Sequence, residues 1–114
     1  MIGFDAVIAE IGGLEEWELR RWIEERWVRP EAAGGAYMFH EVDIARVRLI
    51  VELRHELAID EEAMPVILQL LDQVYALRRR LRAIRAVVDG QPGELRQTLL
   101  AQFGTFLAED DAEN

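Results

Sequence analysis

The chain of 114 residues carries 22 acidic and 13 basic side chains, a net charge of −9, and no cysteine, serine or lysine. That inventory excludes disulfides, thiolate metal sites, serine or thiol nucleophiles and Schiff-base chemistry, and no apolar run reaches the roughly 18 residues of a membrane span. The charge is also divided: residues 1–76 hold 16 acids against 7 arginines, residues 77–108 hold 2 against 6, and residues 109–114 hold 4 acids.

An acidic head followed by a basic rod is expected to seek a basic partner, because phosphate neutralisation supplies most non-specific affinity for nucleic acid. The two histidines, His40 and His55, stand far apart without HExxH-like spacing, and the hydroxyl side chains are limited to Tyr37, Tyr75, Thr98 and Thr105. An enzyme lacks parts here, and neither cofactor nor metal is expected. The start has no basic stretch and apolar run of a signal peptide, so the expected location is the cytoplasm.

Phe4, Val7, Ile8 and Ile11 recur at helical spacing behind Asp5, a candidate cap, and Gly12-Gly13 ends this first short helix. Leu14, Trp17, Leu19, Trp22 and Ile23 repeat the period over Leu14 to Arg26, with all three tryptophans (Trp17, Trp22, Trp27) assigned to the core of the head. Acids in the first turns and arginines later suit the helix dipole. Two short helices around a glycine turn form a helix-turn-helix candidate, a signal that any small helical domain also gives.

The period then changes. Trp27-Val28-Arg29-Pro30 and Ala36-Tyr37-Met38-Phe39 read as two short strands around a glycine turn, a small β-wing. Helix resumes from Val42 to Leu57, with Ile44, Val47, Ile50, Val51 and Leu57 inward; His40 either caps it or is exposed. Asp60 is a candidate N-cap for the next helix, while Pro65 requires regular helix to begin near Met64 or the first turn to bend.

From Ala63 to Val88 the apolar residues Ile67, Leu70, Val74, Leu77, Leu81, Ile84 and Val88 follow at spacings of three and four, a heptad seam. A second stripe, Met64, Leu68, Leu71 and Tyr75, stops where arginines take over. The rod, roughly 40 Å long, therefore pairs with the same helix of a second chain, or else folds against its own C-terminal segment. Asp89-Gly90-Gln91-Pro92-Gly93 breaks it, a last helix follows over residues 94–107, and 109–114 reads as a disordered acidic tail.

Leu19-Arg20 with Trp22, then Val28 and Pro30, Tyr37 and Phe39, and Asp43 before Ile44-Ala45-Arg46 resemble the recognition helix, wing and third helix of MerR-like regulators, over about residues 4–88. The run Val51-Glu52-Leu53-Arg54-His55-Glu56-Leu57-Ala58-Ile59-Asp60, followed by Ile67-Leu68-Gln69-Leu70-Leu71-Asp72, resembles the CbpM-type chaperone modulators within that superfamily. The resemblance implies a mainly α fold: a winged helix-turn-helix head (1–62), a dimerising coiled-coil helix (63–88) and a short C-terminal helix.

It further implies a homodimer that binds a J-domain co-chaperone of the CbpA or DnaJ type and inhibits its stimulation of Hsp70 (DnaK), with nucleoid association, where it occurs, through that partner. J-domains act through a basic second helix, which an acidic head has physical reason to seek. The candidate contacts are Glu52, His55, Glu56, Asp60, Glu61, Glu62 and Asp72. Where MerR-type wings place an arginine after the glycine-aromatic pair, Met38 follows Tyr37, and the wing tip reads Glu31-Ala32-Ala33. Arg20, Arg21, Arg26 and Arg29 keep the alternative of a DNA-binding regulator open, unless they pair with Glu16, Glu24 and Glu25 along their own helix. Arg78, Arg79, Arg80, Arg82 and Arg85 read as solvated flanks of the coiled coil, or as a nucleic-acid contact.

Overall fold

A computed structural model describes the backbone of residues 1–113 and the side chains of residues 1–107, so the expected tail at 109–114 lies outside the fully described residues. The chain divides into two compact units, residues 1–68 and 69–114. No helix of the described residues is long and apolar enough to cross a membrane.

The first unit opens with a strand that sequence reading misses, β1 (Ile2–Gly3), and continues through α1 (Phe4–Glu10) and α2 (Glu16–Glu24) to the hairpin of β2 (Glu31–Ala33) and β3 (Ala36–Phe39). The sheet is antiparallel in the order β1-β3-β2, with Ile2 opposite Phe39 and Glu31 opposite Met38. Gly34 and Gly35 both have positive φ, 59° and 80°, as the two central positions of a tight hairpin turn require. Then come α3 (Glu41–Val51), a π-helical stretch (Glu52–Glu56) and the start of α4 (Met64–Asp89). Val7, Leu19, Val28, Phe39, Val47, Ile50 and Met64 are fully buried. Each such side chain contributes roughly 1.5–3 kcal/mol on removal from water.

Several expected boundaries move, each for a local reason. The first wing strand is Glu31–Ala33, not Trp27 to Pro30, because Trp27 and Val28 serve to end α2. Trp27 N–H donates to Trp22 O (2.9 Å) and Arg26 N–H to Ile23 O (3.0 Å). Arg26 itself takes the left-handed conformation at φ 63°, the arrangement of a Schellman cap with arginine where glycine is usual. Trp22 and Trp27 stack at 6.4 Å, but Trp17, expected in the core, is 65% exposed. Only two of the three tryptophans are buried.

Gly3, not Asp5, caps α1; Asp5 lies in the first turn, where its charge suits the dipole. His40 caps α3, its N–H donating to Asp43 Oδ2 at 2.9 Å. At the far end of α3 the hydrogen bonds lengthen by one residue, Leu57 N–H reaching Glu52 O at 3.0 Å. The extra residue shifts the helical phase: Leu53 is buried, and Leu57, expected inward, is 61% exposed. Ala58 then reverses the chain at φ 52°, with Ile59 N–H donating to Leu53 O at 2.9 Å. Asp60 is not the cap of α4, since regular helix starts only at Met64; its carbonyl accepts from Ala63 N–H at 3.0 Å in the turn before. Pro65 thus falls in the first turn, where its missing donor costs nothing.

The second unit comprises α4 from residue 69 onward and α5 (Gly93–Glu113). Their junction is held by Asp89, which meets Arg85 and Arg96, each at 3.3 Å, and by Gln91 Nε2, which donates to Val87 O at 3.0 Å. Val88 and Leu107 are buried here.

Candidate functional site

On α2 successive residues turn by about 100°. Leu19 and Trp22 face the core, so the outward side is formed by Trp17, Arg20, Arg21 and Glu24. A nucleic-acid reader needs the arginines of this side extended toward phosphate. Here both are held by carboxylates of the chain itself. Arg20 Nη2 meets Glu16 Oε1 at 2.8 Å, and its guanidinium lies 4.9 Å from the centre of the Phe4 ring. Arg21 Nε donates to Glu61 Oε1, and that hydrogen bond, then the charge of Glu61, holds the guanidinium above its ordinary pKa.

Other head arginines are engaged too, Arg29, Arg46 and Arg54 by backbone carbonyls and Arg48 by a carboxylate. Arg29 Nε donates to Arg26 O (3.3 Å), Arg46 Nε to Trp27 O, and Arg54 Nη1 to Ile59 O (2.5 Å), while Arg48 Nη2 meets Glu10 Oε1 at 3.3 Å. In the wing, His40 Nε2 lies 2.9 Å from Glu31 Oε2. The expected pairing of α2 arginines with acids is therefore seen within the helix at Arg20 and across to another segment at Arg21.

Beside α2 lies the segment from the π-helical stretch to the start of α4. His55 Nε2 is 2.7 Å from Glu18 Oε2, and the His55 ring stands 6.5 Å from that of Trp22. Glu18 is only 13% exposed, and its other oxygen accepts the Glu15 N–H at 3.1 Å, capping α2. Of the predicted contact residues, His55 and Glu61 thus touch α2, while Glu52, Glu56, Asp60 and Glu62 are exposed nearby in sequence. Asp72 belongs to the second unit. Trp17, the aromatic centre of the outward face, was not among them. Its position five residues before Trp22 places the two about 140° apart on the helix, which was the available signal.

The predicted seam residues differ in exposure. Val88 is buried, Ile67 and Leu81 are half-buried, and Leu70, Val74, Leu77 and Ile84 are exposed in the single chain. In the arginine cluster, Arg78 lies 5.9 Å from the Tyr75 ring centre and Arg85 meets Asp89. Among the described residues no group of three or more His, Asp or Glu side chains could hold a metal ion.

A family model described as MerR HTH family regulatory protein matches residues 6–86. Neither the curated proteins nor the solved structures contain a match.

Proposed function

The chain belongs to the MerR HTH regulatory family, and from that membership we propose that it is a protein-binding rather than a DNA-reading member: a chaperone modulator of the CbpM type. On this reading it docks on a CbpA-type J-domain co-chaperone through an acidic surface and inhibits the stimulation of Hsp70. The observation that carries the reading is the fate of the arginines on the outward side of α2. Arg20 and Arg21 are closed onto Glu16 and Glu61, so the helix that would face a duplex carries neutralised cations among carboxylates.

A basic helix meets no such obstacle. Opposite charge speeds its approach and orients it, while a few desolvated anchors supply affinity. Occupying the basic second helix of a J-domain keeps Hsp70 away from it. The exposed Leu70, Val74, Leu77 and Ile84 support pairing of two chains along α4, which would cover a continuous apolar strip.

The test is binding of the full chain to an isolated J-domain, with Glu56→Lys and Asp60→Lys as the first variants. Saturable binding that weakens with salt and with both reversals is expected. Tight, salt-steep binding to duplex DNA at about 50 mM salt, with no J-domain binding, overturns the reading in favour of a DNA-binding regulator.

A further inference from the structure

The outward side of α2 has a tryptophan at its centre and charge at its edges. We propose that Trp17 is the apolar anchor of a docking surface for a basic amphipathic helix, with Glu24 and Glu25 at the end of α2 and Glu61 and Glu62 before α4 forming its acidic rim. This rests on the reading of the chain as a J-domain binder and names the face that does the binding.

Three observations carry it. Trp17 is 65% exposed although the neighbouring core takes Leu19, Trp22 and Trp27, so most of its indole is left to solvent. An exposed tryptophan among charges is the residue type and setting of an interaction hot spot. The rim is also fixed in place. Arg21 bonds Glu61 and His55 bonds Glu18, so two bridges fasten the segment before α4 to α2 and hold the surface ready before a partner arrives.

Charge selects the occupant. Glu24 shares the outward side of α2 with Trp17, Glu25 and Glu62 follow Glu24 and Glu61 in sequence and are exposed, and Arg20 and Arg21 are already paired with Glu16 and Glu61, so the charge left over is negative. A duplex or an acidic helix is repelled from such a face. A helix with lysines or arginines flanking an apolar stripe places the stripe on the indole and its cations on the carboxylates.

The experiment compares full-length parent, Trp17→Ala, the pair Glu24→Lys with Glu25→Lys, and Glu94→Lys as a charge control in the second unit, each titrated against the isolated J-domain. Circular dichroism checks that each variant is folded. The anchor predicts binding at least about tenfold weaker for Trp17→Ala with an unchanged melting profile. It also predicts slower association and a flatter salt dependence for the double reversal, and no change for Glu94→Lys. If the parent binds the J-domain and Trp17→Ala binds equally well, the anchor is refuted and the broader reading stands. If the parent does not bind the J-domain, both fall together. Duplex DNA that binds the parent and is lost with Trp17→Ala also refutes it, since the face then reads nucleic acid.

Discussion

Arg21 on α2 donates through Nε to Glu61, which lies 40 residues further along the chain, and this bridge fixes the segment before α4 against the helix. Because the hydrogen bond raises the guanidinium pKa, the stability it brings is complete below the ordinary arginine value and is lost only as pH rises through the still higher folded value. The melting-temperature difference between the parent and Arg21→Gln is therefore expected to stay constant from about pH 7 to about pH 10. A difference that shrinks across that window would show that another group governs the bridge.

Glu16 on α2 and Glu61 before α4 hold back the arginines of α2's outward side. Glu16→Gln together with Glu61→Gln keeps the shapes and removes the charges, freeing Arg20 and Arg21. Fluorescence anisotropy with duplex DNA is expected to show tighter binding than the parent, with a logarithmic salt slope steeper by up to about 2, near 0.9 for each phosphate neutralised. An unaltered slope means that the carboxylates are not what restrains these side chains.

Glu18 performs two tasks with one side chain, accepting the Glu15 N–H and meeting His55. Glu18→Ala removes both. The cost is expected at about 1–2 kcal/mol, the range of a lost cap plus a half-buried polar contact. Urea unfolding followed by tryptophan fluorescence reads it, and His55→Ala should lose only part of the same amount.

Ala58 holds a left-handed conformation that ordinary side chains disfavour. Ala58→Gly relieves the strain while raising unfolded-chain entropy, leaving a net gain of about 0.5–1 kcal/mol. A rise of a few degrees in the melting temperature of the first unit is expected, and a fall would mean that the methyl group packs usefully.

The strip on α4 is tested by Leu77→Lys with Leu81→Lys. Buried, unpaired ammonium groups are not tolerated in a helix seam, so light scattering is expected to give half the parent mass. Unchanged mass would assign the strip to another role.

The order of elements was legible because each helix repeats its apolar residues at three- and four-residue spacing. The exceptions share a cause. Trp27 and Val28 look like strand because they are large and apolar, yet they are buried as the stopper of α2, an outcome set by hydrogen bonds to Trp22 O. β1 is two residues long, and its partners Phe39 and Met38 lie far along the chain from Ile2 and Gly3, so no local period announces it. Leu57 points outward because a π-helical stretch inserts a residue into the phase, and hydrogen-bond register leaves no mark on composition. At the candidate site, sequence pointed to the acids before α4 but counted Trp17 into the core. The helical stripe drew it in, although a helix this short buries only one side.

The hairpin that carries the wing ends in two glycines, and a Cβ added at either Gly34 or Gly35 would meet nothing within 4 Å. Its tip is bare main chain projecting into open space, with the strands' register fixed behind it. A side chain placed at either glycine would therefore cost no packing and act on the backbone alone, straining a turn whose φ values are 59° and 80° and so loosening the pairing of the two strands rather than the core.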